Sequence, residues 1–141
     1  MNRTEHIIHL HFDKFVFTVS YNTVEKFICN ELNRLSIETG YRIDNLKIEF
    51  KKNFKDNTIA FFSHSGDKPI GFCFYTNKLD NMSPNKIIDT CRHEFAHYIV
   101  CMQNPKHQPK CIHGKKWQEV CYELGAKPSP YMKNLLTKHI K

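Results

Sequence analysis

Residues 83–117 constrain this chain more than any other stretch. They open Ser83-Pro84-Asn85-Lys86-Ile87-Ile88-Asp89-Thr90-Cys91-Arg92-His93-Glu94-Phe95-Ala96-His97 and close on His113-Gly114-Lys115-Lys116-Trp117. His93, Glu94 and His97 spell H-E-x-x-H. Residues four apart on a helix are separated by about 6 Å of rise and roughly 40° of rotation, so two imidazoles at that spacing can reach one metal ion from the same side. Glu94, one step round the helix, is close enough to hold a reacting water without binding the metal itself. The expectation is a zinc-dependent hydrolytic site.

That expectation requires a helix, and the flanking residues supply one. Ser83 suits the N-cap and Pro84 the first helical position, where a missing N–H costs nothing. Asn104-Pro105 is the stop, because the residue before a proline is pushed out of helical geometry. Ile88, Cys91, Phe95, Ile99 and Met102 recur at steps of three and four and predict one apolar stripe, with His93 and His97 roughly opposite it. Asp89, one turn before His93, could orient an imidazole N–H or simply face solvent.

A catalytic zinc site needs a third protein ligand and one open position. His113, His107, Glu119, Glu123 and Cys111 all follow the helix. His113 is favoured because Gly114 lets the backbone turn tightly into a new helix, while a thiolate from Cys111 would weaken the metal as a Lewis acid. Tyr122 and Tyr131 are conceivable donors to a developing oxyanion.

The rest of the chain predicts an α+β architecture in a single domain spanning 1–141. Residues 1–20 contain a β-branched and aromatic stretch that reads as one strand or an extended arm. Tyr21 to Thr39 is an amphipathic helix with Val24, Phe27, Ile28, Leu32 and Leu35 on one face, Asn22 or Thr23 as cap and Gly40 as stop. Leu46–Phe50, Thr58–Phe62 and Ile70–Tyr75 predict a small, mainly antiparallel three-stranded sheet, the last two strands joined at Ser65–Pro69. Residues 70–76 are the expected exposed edge for an extended substrate. A second helix from Gly114 to Leu124 ends at Gly125, and 126–141 reads as a short basic tail.

Composition narrows the setting. Lys and Arg exceed Asp and Glu by 21 to 14, giving a net charge of +7 and a pI near 9.1, a balance that favours polyanionic partners and nucleic acid first. Lys51, Lys52, Lys55, Lys110, Lys115 and Lys116 are the candidate contacts. No apolar run approaches the roughly 20 residues that span a bilayer. Without a visible secretory signal, the six cysteines are expected to be reduced thiols in an intracellular, monomeric protein of cytoplasm, nucleoid or nucleus. None forms a C-x-x-C pair.

H-E-x-x-H followed after 15 residues by H-G-x-x-[aromatic] resembles the SprT-like zinc metallopeptidase domain, over roughly residues 20–125. The resemblance implies a zincin-like fold with the metal helix packed on the sheet. It also implies His93, His97 and His113 as ligands of Zn2+, and Glu94 as general base. Members of that family are linked to cleavage of proteins on DNA, including DNA–protein crosslinks, and so to DNA repair. Many carry an added zinc ribbon or partner-binding tail, and neither pattern is found in these residues. A zinc-containing DNA-binding or regulatory module that cleaves nothing is the competing expectation.

Overall fold

The computed structural model describes residues 6–12, 15–21, 23–103 and 113–126, with residues 6–21 described by backbone alone. Two strands, β1 (His6–Phe12) and β2 (Phe15–Tyr21), pair antiparallel in a sheet of their own, where a single strand or arm was expected. Helix α1 (Val24–Thr39) starts where the Thr23 hydroxyl accepts the Lys26 N–H at 3.2 Å. It ends at Gly40, whose φ of 81° lies in the left-handed region that only glycine adopts without strain. Val24, Phe27, Ile28, Leu32 and Leu35 are all buried, as their spacing predicts.

The second sheet comprises β3 (Lys47–Lys51), β4 (Ala60–Ser65) and β5 (Lys68–Tyr75) in the order β3-β5-β4. β4 and β5 form the expected antiparallel hairpin, whereas β3 runs parallel to β5, so the sheet is mixed rather than mainly antiparallel. The cause is the loop 52–59, which crosses the end of β5 before entering β4. The hairpin then returns β5 to the middle, where it meets β3 in the same direction. Residues 70–76 therefore do not form an edge; the edges are β3 and β4. At Gly71 the approach of β3 is so close that a Cβ would lie 2.1 Å from the Lys47 carbonyl oxygen, which only glycine avoids.

A short helix α2 (Thr76–Leu79), unmarked in the sequence, follows β5. Helices α3 (Pro84–Gln103) and α4 (Lys115–Leu124) complete the described part. Phe72 and Phe74 of β5, Phe95 and Tyr98 of α3, and Phe27 and Leu32 of α1 share one core. Burying each such side chain contributes roughly 1.5–3 kcal/mol. The chain is thus α+β, with α3 against one face of the sheet. No helix among the described residues is long and apolar enough to cross a membrane. Of the expected tail only Ala126 is described, buried after Gly125.

Candidate metal centre

Helix α3 begins as its sequence predicts, with the Ser83 hydroxyl accepting the Lys86 N–H at 3.2 Å. Its buried stripe is Ile87, Cys91, Phe95 and Ile99, supplemented by Ala96 and Tyr98. The expected stripe is shifted by part of a turn: Ile88 is half-buried and Met102 is 45% exposed. Periodicity gives the width of an apolar face, but the neighbouring strands decide where it is centred. His93, Glu94 and His97 consequently lie half-buried at the margin of the core rather than opposite it.

Trp117 of α4, 3% exposed, brings the histidines together. Its indole N–H donates to the His93 carbonyl at 3.0 Å. The His97 ring stacks on it with centroids 5.1 Å apart, and the His113 and His93 rings stand edge-on at 4.6 and 5.5 Å. His97 and His113 face each other with centroids 5.0 Å apart. Just before α4, the backbone of His113 is fixed by Gln118, whose amide donates to its carbonyl at 3.0 Å. Gly114 has φ −74° and ψ −171°, ordinary extended backbone, so the glycine freedom invoked for His113 is not used there.

Other groups complete the surroundings. Asp89 is buried, with Oδ2 3.6 Å from His93 Nε2, an ion-pair distance longer than a hydrogen bond. Of its two expected settings, the one beside an imidazole is observed. The Glu94 carboxyl accepts a hydrogen bond from the Phe62 backbone, tying α3 to edge strand β4. One strand position further on the same face, His64 stacks near Phe62, its Nδ1 2.8 Å from the Gly66 carbonyl. A carbonyl only accepts, so Nδ1 carries the hydrogen.

Burial dominates the electrostatics. It pushes the Glu94 carboxyl up from 4.5 to about 8, against the opposing Phe62 hydrogen bond. It pushes His97 down from 6.5 to about 3, with His113, His93 and His64 acting in the same direction. His113 is lowered by burial and by His93. At neutral pH these two imidazoles are therefore uncharged, the form that binds metals.

Two imidazoles on one tetrahedral ion, each nitrogen about 2.0–2.1 Å from it, hold their ring centroids about 5 Å apart. The His97–His113 pair meets that spacing, and the donors are of the kind zinc takes. His93 stands beside them with its Nε2 towards Asp89. Among the described residues no three His, Cys, Asp or Glu side chains close on one point as a metal-binding group does. The donors fit a divalent ion in kind and neighbourhood.

Of the other candidates, Lys51, Lys52, Lys55, Lys115 and Lys116 are exposed, and Lys51 has Glu49 at 3.6 Å. Tyr122 is 62% exposed and Glu123 is exposed, while Glu119 is half-buried. His107, Lys110, Cys111 and Tyr131 lie outside the described residues. Sequence reasoning missed His64 and the Phe62 amide. Both reach the site only through packing of β4 on α3, which leaves no mark in spacing. Compared with known protein families, with curated proteins and with solved structures, the chain finds no match in any of the three.

Proposed function

We propose that this chain is a zinc-dependent endopeptidase of the SprT-like, zincin type, acting on DNA-associated or DNA-crosslinked proteins. The observation that carries the reading is the meeting of His97 with His113, 5.0 Å apart although they come from different elements, with Glu94 on the same helix as His97. His93, His97 and His113 are the residues that would hold zinc, His93 turning from Asp89 to complete the set. Bound there, zinc supplies Lewis acidity and lowers the pKa of a water at the vacant corner.

The chain's own groups do the rest. Glu94 accepts the proton of the attacking water, a C–O bond forms at the peptide carbonyl carbon, and Glu94 returns the proton to the leaving amine as the C–N bond breaks. The Phe62 N–H fixes the position of that carboxylate. Trp117 holds the imidazoles in place by stacking and by its bond to the His93 carbonyl. β4, the edge strand beside α3 among the described residues, offers a backbone row along which an extended peptide can lie, next to the Phe62 N–H that holds Glu94. The DNA-associated substrate rests on the motif resemblance and on the net charge of +7.

The test is cleavage of a protein substrate, with and without DNA, by the zinc-loaded chain and by Glu94→Gln. The variant should keep its zinc and lose cleavage; equal cleavage by both removes the mechanism. One observation bears on a second reading, a zinc-containing DNA-binding or regulatory module without proteolysis: His93 Nε2 lies 3.6 Å from Asp89 Oδ2. DNA affinity that survives zinc removal, with no cleavage of any protein tested, would select that alternative.

A further inference from the structure

The three-stranded sheet has a second face. Residues directly paired in a ladder point to the same side, and successive residues alternate. The rows Ile48–Phe72–Phe62 and Phe50–Phe74–Ala60 enter the core with α3. The rows Glu49–Cys73–Phe61 and Lys51–Tyr75, and with them Lys47, belong to the opposite side. There Lys47 and Lys51 are exposed, and Phe61 keeps 38% of its surface open. The Phe61 and Tyr75 rings are neighbours on this face, with centroids 6.0 Å apart.

The loop 52–59 follows Lys51 directly at the end of β3, and it is held firmly. The Asn53 N–H donates to the Asn77 side chain at 2.9 Å, and Asn77 returns a bond of 2.9 Å to the Asn53 carbonyl. The Asn53 amide also reaches Asp56 and Thr58, and the Tyr75 N–H donates to the Ile59 carbonyl at 2.9 Å. Yet Phe54, in the middle of this ordered loop, is 82% exposed between Lys52 and Lys55. Folding gains little from an aromatic ring held out in water, so the ring is available to a ligand.

The geometry points to a platform for single-stranded nucleic acid on this outer face. Bases stack on Phe61, Tyr75 and Phe54, and Lys47, Lys51, Lys52 and Lys55 meet the phosphates. Flat sheets with exposed aromatic side chains bind unpaired bases because every base offers a π-face, whereas a duplex keeps its bases stacked inside. An acidic peptide would engage the lysines and leave the three rings without a role. The local acids do not cancel the charge: Glu49 is paired with Lys51, and Asp56 is engaged by Asn53 and Thr58 with Lys78 nearby. The platform lies on the side of the sheet away from α3, so it can hold a strand without covering the histidine cluster. It does not depend on the peptidase reading.

The test is fluorescence anisotropy of the full chain with labelled 12-nucleotide dT and rU strands, the corresponding 12-base-pair duplexes, and phosphatidylserine vesicles as a competitor. Either or both single strands should bind at least about tenfold tighter than their duplex, and the dT and rU arms separate DNA from RNA. With four phosphate contacts, log affinity should fall against log salt with a slope of about −3. Phe54→Ala and Phe61→Ala should each weaken binding about tenfold, with Trp at either position restoring it. Because Phe54 is exposed, its variant should melt with the parent, separating lost binding from lost folding. Absent binding, equal affinity for duplex, vesicles outcompeting the strands, or Phe54→Ala and Phe61→Ala variants that bind like the parent would each overturn the assignment. No catalytic readout enters, so a failure here and a failure of the peptidase reading are told apart.

Discussion

Glu31 on α1 and Glu94 on α3 both point their carboxyls towards the interior, and the chain treats them in opposite ways. Glu31, its side chain 9% exposed, is met on both oxygens by Arg34, at 2.8 and 2.7 Å, with Arg92 Nε 3.8 Å away. Arg92 also donates to the Gly125 carbonyl at 2.9 Å, so this cluster ties α1, α3 and the end of α4 together. Glu94 has a backbone hydrogen bond and, among the described residues, no cation opposing its charge, and burial raises it to about 8. A buried carboxylate costs several kcal/mol unless its charge is compensated. For Glu31 the compensation is encoded in the chain. For Glu94, beside imidazoles held neutral, the proposed zinc would supply it.

The largest expected effect lies at Glu94. Glu94→Gln should reduce peptide cleavage by at least about 100- to 10,000-fold while zinc content, measured by mass spectrometry of metals, stays the same. Stability should respond the other way round. Arg34→Met leaves Glu31 buried without its main partner and should cost about 2 kcal/mol in urea unfolding, limited by the partial exposure of Arg34. Glu94→Gln in the metal-free protein should cost nothing, since it removes an uncompensated acid. If both substitutions destabilise alike, the contrast between the two carboxylates is lost.

A smaller effect is expected at Trp117. Trp117→Phe keeps most of the ring packing but loses the bond to the His93 carbonyl, and should weaken zinc affinity about tenfold in a competitive chelator titration. The smallest effect is a pH dependence in metal-free protein. Because Glu94 is raised when folded, the folded state keeps a proton that the unfolded chain releases above 4.5. Its contribution is fully present below that value and is lost as pH rises towards about 8. His97, lowered to about 3, contributes in the other direction, losing stability as pH falls below 6.5. Thermal melts of metal-free wild type and Glu94→Gln should therefore diverge from pH 5 to pH 8, the variant becoming relatively more stable. Parallel melts across that range would place Glu94 in water.

Local chemistry was legible in the sequence and assembly was not. The caps at Thr23, Gly40, Ser83 and Gly125 and the buried face of α1 follow from residues a few positions apart, which is the range over which helix signals act. The parallel pairing of β3 with β5 depends on a loop crossing that no periodicity records. At the site, the motif residues His93, Glu94, His97, His113 and Trp117 do gather. The shift of the α3 stripe from Ile88 to Ile87 and the arrival of His64 are set by neighbours distant in sequence, whereas the approach of Asp89 to His93 was legible as an i,i+4 spacing. The Glu31–Arg34–Arg92 cluster is of the same kind. Its Glu31–Arg34 spacing is visible on a helix, but the third member comes from another one.

X-ray absorption at the zinc edge of the zinc-loaded chain, with metal stoichiometry, tests the proposed three-imidazole site most directly. One zinc per chain is expected, with three imidazole nitrogens at about 2.0–2.1 Å and one light oxygen donor, and with metal lost from His97→Ala and His113→Ala. Zinc retained in full by either variant, a sulfur donor at about 2.3 Å, or no bound zinc at all would contradict it.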